Sequence, residues 1–177
     1  MPRIYLSPSL QEYNPFYGGG SEEEAMNVIA DAMEPYLSAA GIEYLRNNPE
    51  MTLGEAIADS NSSNADFHLA IHSNAAPASL AGRRRGPVVY YYATSPYGRQ
   101  MAELIAEELR KIYPEPSKVQ VLPTTTLREL RRTDAPSALV EVAYHDNPED
   151  AAWIRSHTDE IARALSQAAA AYFGIEK

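Results

Sequence analysis

Asp66-Phe67-His68-Leu69-Ala70-Ile71-His72-Ser73-Asn74 reads as a strand that gives way to a loop at its second histidine. Apolar residues lead up to His72, and small polar residues follow it. An imidazole at a strand end can meet a metal or a substrate in a crevice. A second run of this kind, Ser137-Ala138-Leu139-Val140-Glu141, ends on a carboxylate. Near-continuous apolar runs are the pattern of strands buried on both faces of a largely parallel sheet. A carboxylate at such an end needs a partner, a proton or a task.

Outward from these two strands, the chain alternates between strand and helix patterns. Arg3 to Leu6 reads as a first strand, followed by a loop over residues 7 to 20 that closes on Gly18-Gly19-Gly20. Ser21 then offers an N-cap, with Glu24 three residues on to complete a capping box. The helix it opens carries Met26, Ile29, Met33 and Leu37 on one face and stops near Gly41. Thr52 and Glu55 form a second capping box, starting a short helix to about Ser60. Val88 to Ala93 is a β-rich run between Gly86-Pro87 and Ser95-Pro96. A helix follows with Pro96 at its first position and Met101, Leu104, Ile105 and Leu109 inward. Val119 to Leu122 is a short strand, and Thr124 to Asp134 is a basic loop or β-excursion. Pro148 to Phe173 is helical, with a break near His157. The expected fold class is α/β: a single three-layer domain over 1–177, with a mostly parallel central sheet flanked by helices.

Composition narrows the function classes. With 177 residues, 45% of them hydrophobic, the chain suits one core. A formal net charge of -9 disfavours nucleic acid as a partner, because phosphate binding needs a basic face. Arg83-Arg84-Arg85 and Arg128, Arg131 and Arg132 are local exceptions that could grip an anionic substrate or be solvated loop charge. There is no cysteine, so any zinc must be held by histidine and carboxylate. No stretch is long and apolar enough to span a membrane, and the N-terminus lacks an apolar signal core. Synthesis in the cytoplasm without a recognisable signal peptide is expected.

In an open α/β sheet, ligands collect beyond the carboxyl ends of the strands. His72, Glu141, the loop after Leu6 and the start of the first helix would share that edge. Within the acidic run Glu22-Glu23-Glu24, Glu24 is committed to the capping box. Glu22 shares the helical stripe of Met26, Ile29 and Met33, so it is the one turned inward. The alternative is that all three merely favour the positive helix end. Glu141 is either an acid–base group or half of an ion pair with an arginine such as Arg131. His68 lies on the same strand face as His72, but four residues of strand separate them by roughly 13 Å. The two cannot share one metal, and His68 reads as structural or substrate-facing.

These residues together resemble the zinc-dependent N-acetylmuramoyl-L-alanine amidases, whose catalytic domain is a compact α/β sandwich. The likeness runs from the Pro-containing loop after the first strand through Glu22 to Ala30, Ala65-Asp66 to Ala75, and Gly86 to Tyr92. It continues through Ala135-Pro136-Ser137-Ala138-Leu139-Val140-Glu141 and Tyr144-His145-Asp146-Asn147. The resemblance implies a Zn2+ cofactor with Glu22 and His72 as ligands, and Glu141 as the carboxylate that manages the proton of the attacking water. Peptidoglycan or muropeptides would be the substrate, and the protein a monomer acting on the cell wall, after release or as part of a larger protein. One departure stands out. The family places a zinc-binding histidine in a Pro-Gly-His pattern after the first strand, where this chain has Ser7-Pro8-Ser9-Leu10-Gln11. The third ligand then falls to His145, in the loop after Glu141, to the amide oxygen of Gln11, or to neither, which leaves a weak or absent metal site. A non-catalytic binder of wall fragments and a different zinc peptidase are the competing expectations.

Overall fold

A six-stranded sheet in the order β2-β1-β3-β6-β4-β5 organises the molecule, which the computed structural model describes over residues 1–175. The strands are β1 (Arg3–Pro8), β2 (Glu43–Arg46), β3 (Phe67–Asn74), β4 (Val88–Tyr92), β5 (Gln120–Thr124) and β6 (Ser137–Tyr144). The helices are α1 (Glu22–Ala39), α2 (Leu53–Ser62), α3 (Pro96–Arg110), the single turn α4 (Arg128–Arg131), α5 (Pro148–Ser156) and α6 (Thr158–Tyr172). Strands β2, β1, β3 and β6 pair in parallel, whereas β4 runs antiparallel to β6 and parallel to β5. The sheet is thus mostly parallel, as its two apolar strands suggested. The edge strand β2 and the turn α4 were not foreseen, while the helix break at His157 was.

The two faces of the sheet are unequal. Ile4, Leu6, Phe67, Leu69, Ile71, Val89, Ala138, Val140 and Val142 point to one side and pack with α1, α3 and α6 into the main core. Met26, Ile29, Met33 and Leu37 of α1 are fully buried there, and each such side chain is worth about 1.5–3 kcal/mol of burial. On the other face Ala70, Leu130 and Leu139 make a small cluster, with Tyr90, Tyr92 and Leu127 packed on it. The rest of that face is polar. Tyr5, Ser7, His68 and His72 stand on it beneath α2 and α4.

Local chemistry sets where α1 begins. Ser21 Oγ accepts from the Glu24 amide at 3.2 Å, and Glu24 Oε2 accepts from the Ser21 amide at 3.1 Å. Gly20 precedes this box at φ +77, and a Cβ there would lie 2.7 Å from Glu24 Oε2. Only glycine leaves room for the returning carboxylate. Thr52 and Glu55 make the same reciprocal pair at the start of α2. Because Glu24 is occupied, Glu22 is left to turn under the helix, where it is 1% exposed.

Candidate active site

Register brings His72 and Glu141 side by side, although β3 runs on to Asn74 and β6 to Tyr144, past the strand ends expected from the sequence. His72 of β3 pairs with Glu141 of β6 in the parallel ladder, so both side chains leave the same face of the sheet. The first turn of α1 delivers Glu22 to them from beyond the strand ends. Glu22 Oε1 lies 3.3 Å from His72 Nδ1 and accepts from the Ser73 amide at 3.0 Å. Glu22 Oε2 accepts from Asn14 Nδ2 at 2.9 Å, and the same amide group donates to Gln11 Oε1. Both oxygens of Glu22 are therefore oriented. Helix phase had separated Glu22 from Glu23 and Glu24, and the structure makes the same distinction.

His145 reaches the same cavity, a cleft of about 350 Å³ also lined by Gln11, Glu22, His72, Glu129 and Glu141. Its Nδ1 is 2.8 Å from Ser73 Oγ, and its ring lies 6.1 Å from that of Phe16. Among the described residues, no three His, Asp or Glu side chains converge as a ready-made metal group. The structure thus brings Glu22 and His72 together as a pair and leaves His145 beside them. Leu10, at or next to the place where a histidine was expected, lines a neighbouring cleft of about 260 Å³ with Gln11, Tyr13 and His72.

One participant was missed. Glu129, on α4, is 4% exposed, and its Oε2 lies 3.5 Å from His72 Nε2. Its Oε1 lies 2.9 Å from His68 Nε2 and accepts from Ser7 Oγ. His68 and His72, too far apart for one metal, are joined by one carboxylate. His68 is structural, fully buried with Nδ1 2.7 Å from Ser60 Oγ. A four-residue turn flanked by arginines gave no sequence signal that its acid points inward.

The electrostatics follow from these contacts. Burial disfavours charge on Glu129, but His68 and His72 outweigh it and hold its carboxyl well below the usual range. Burial likewise opposes the charge of Glu22, and His72, Asn14 and the Ser73 amide overcome it, so its carboxyl is also held low. His72 loses much of its solvation in the cleft, but the flanking carboxylates of Glu129 and Glu22 outweigh that and push it well above the ordinary imidazole value. Glu141 goes the other way. Burial, with the nearby charge of Glu22, raises it to about 7 against the opposing pull of His72. Its Oε2 is buried without a hydrogen-bond partner, and no ion pair joins it to Arg131 or any other described residue. A half-buried carboxylate with one enclosed, unpartnered oxygen and poised near neutrality is suited to general acid–base work.

The sequence profile of the N-acetylmuramoyl-L-alanine amidases matches residues 11–171. The chain belongs to the N-acetylmuramoyl-L-alanine amidase family. Solved amidases share its architecture. The amidase AmiC2 of Nostoc punctiforme superposes with a TM-score of 0.84 at 20% identity, over 98% of this chain and 97% of that one. An amidase from Clostridium difficile 630 gives 0.86 at 17% identity over 99% and 98%. The catalytic domain of the amidase CwlV from Bacillus (Paenibacillus) polymyxa var. colistinus gives 0.82 at 14% identity, over 99% and 100%. No curated protein sequence matches the chain. At these identities the structural likeness establishes the fold of this amidase, and its chemistry has to be argued from its own residues.

Those residues were tested against a zinc ion. Carboxylate and imidazole are the donors that a cysteine-free zinc site requires. The 3.3 Å between Glu22 Oε1 and His72 Nδ1 suits two neighbouring ligands of one ion, since metal–donor distances of about 2.0–2.2 Å at a tetrahedral angle put donors roughly that far apart. The orphaned Oε2 of Glu141 stands in the same cleft. The pair fits a zinc ion, with the remaining positions open.

Proposed function

We propose that this amidase hydrolyses the amide between the lactyl group of N-acetylmuramic acid and the L-alanine of the stem peptide. The observation that carries the reading is Glu141, half-buried with one oxygen enclosed and unpartnered, raised to about 7 and in register with His72 at the open edge of the sheet. Glu22 and His72 would hold zinc, and His145, with Nδ1 occupied by Ser73, would contribute through Nε2 if it adds a third donor. Bound there, zinc would polarise the scissile carbonyl and acidify a water molecule.

The protein's own groups then divide the work. Glu141 accepts the proton of the attacking water and returns it to the leaving amine of L-alanine. A carboxylate that gains and loses a proton near neutrality serves both steps. Glu22, fixed by Asn14 and the Ser73 amide, holds its negative charge next to His72 and keeps the ring in place. On the flank of the site, Arg83 and Arg84 line a polar cleft with Lys118, Tyr144 and Val88, and Val88 pairs with Glu141 across the β4–β6 ladder. Both arginines are exposed, and neither has an ion-pair partner among the described residues. Arg85, by contrast, is engaged by Glu115 and Glu149 at 2.7 Å. We assign Arg83 and Arg84 to the free carboxylates of the stem peptide. The place of action in this reading is the cell wall.

Leu10, at or next to the place of the expected histidine, favours one rival, a fold-retaining binder of wall fragments that does not cleave. Digestion of purified peptidoglycan, scored for new L-alanine N-termini, separates the two. Zinc-loaded protein should release them, and chelation should stop the release. Binding of fragments with no new N-termini at full zinc occupancy would select the binder.

A further inference from the structure

Glu129 is not used as an acid or base in the proposed reaction, yet a fully enclosed carboxylate must be compensated. Its compensation comes from three elements. Ser7 of β1 donates to Oε1, and Asn47 Nδ2 lies 3.4 Å from that same hydroxyl oxygen. His68 of β3 meets Oε1 at 2.9 Å and is itself fixed by Ser60 of α2. The His68 ring also stacks on Tyr5, with centroids 5.4 Å apart and planes 10° from parallel. With one oxygen anchored in this way, the carboxylate cannot swing, and Oε2 is presented to His72 Nε2.

We infer that Glu129 is a positioning residue for His72. A neutral imidazole carries one N–H and one lone pair, and the partner of each nitrogen decides which is which. Both ring nitrogens face carboxylates, Nδ1 at 3.3 Å from Glu22 and Nε2 at 3.5 Å from Glu129, so a cation held by Glu22 and Nδ1 would leave the N–H on Nε2, facing Glu129. The lone pair is then on Nδ1, the edge that faces Glu22 Oε1. A carboxylate behind a metal-binding imidazole also raises the ring's basicity and stops it rotating. This support makes the imidazole a stronger donor. The chain Ser60–His68–Glu129–His72–Glu22 therefore ties the second helix to the first across the polar face of the sheet. This inference rests on the zinc amidase reading above.

The test uses the full chain stripped of metal, with zinc alone as probe. Zinc affinity is read by competition with a chromophoric chelator, and the ring nitrogens of His72 by 15N NMR of the loaded protein. Glu129→Gln keeps the side-chain volume and removes the charge. It should weaken zinc binding about 10–100-fold per folded molecule, while the parent's His72 shows a protonated Nε2 and a metal-bound Nδ1. A merely structural Glu129 would lower the melting temperature and leave zinc affinity unchanged, which would overturn the inference. A parent ring with the opposite nitrogen on the metal would overturn it too, and needs no variant to fold. A parent that takes up no zinc also overturns it, and release of L-alanine N-termini by that same sample shows whether the amidase reading survives alone.

Discussion

Glu129 and Glu141 flank the same histidine from two walls of one cleft, and their surroundings drive them apart. The wall under α4 gives Glu129 a serine hydroxyl and two imidazoles, and its carboxyl is held far down. The wall formed by β6 gives Glu141 burial and the charge of Glu22, leaves Oε2 without a partner, and raises the group to about 7. Lost solvation opposes charge on both, so it does not decide the outcome. Hydrogen-bond partners do. The difference assigns the first acid a permanent charge that orients and the second a proton that moves.

The most drastic way to break this contrast is to neutralise each acid in turn. Glu141→Gln keeps the volume but cannot accept a proton, so turnover of muramoyl–alanine bonds should fall by about 10²–10⁴-fold with zinc still bound. Glu129→Gln, assayed at saturating zinc, should retain most of its activity. Equal losses in the two variants would erase the distinction. The pH profile sharpens it. A general base works ionised, and Glu141 loses its charge as pH falls through its own pKa, so kcat/KM should decline on the acid side. That limb should lie at or below pH 7, because a bound cation favours the carboxylate.

Stability gives a smaller signal of opposite sign for the two walls. In metal-free protein Glu141 has a folded pKa of about 7, against roughly 4.3 when unfolded. The folded state then retains a proton that the unfolded state has released, so stability declines as pH rises through that window. Glu141→Gln should remove this decline and gain up to about 3 kcal/mol above pH 7, with little gain at pH 4. Glu22 and Glu129 are depressed, so their contribution is present above the unfolded value and is lost as pH falls through the folded one. Denaturant unfolding at pH 4 and pH 8 checks both. The smallest effect belongs to the outer cleft. An exposed charge contact of about 1 kcal/mol corresponds to about fivefold in affinity. Arg84→Ala should therefore raise KM for acidic stem peptides by about that factor with kcat near the parent's.

Much of this was legible in the residues. The apolar runs ending at His72 and Glu141 fixed two central strands, and their register needed only the parallel pairing that the alternation implied. Two capping boxes located α1 and α2, and helix phase singled out Glu22. What escaped depends on contacts distant in sequence. β2, Glu-Tyr-Leu-Arg, is a half-exposed edge strand with no apolar alternation, and it exists because β1 offers it a ladder. β4 reads as a β-rich run, but its reversed direction comes from the route of the connections, not from its own tyrosines. Glu129 sits among arginines in a turn too short to show a period, and its meaning lies with His68, 61 residues earlier. The spacing argument that kept His68 and His72 from one metal was sound, yet it gave no hint that a carboxylate would bridge them.

Two acids of one type in one cleft carry different protonation states, and carboxyl 13C NMR of the metal-free chain reads those states directly. Across a titration from acid to neutral, the Glu141 signal should shift with a midpoint near pH 7, the value its surroundings impose. The Glu129 signal should stay at its ionised position throughout. Two midpoints together in the ordinary carboxylate range, or a Glu129 that takes up its proton before Glu141 does, would contradict the account.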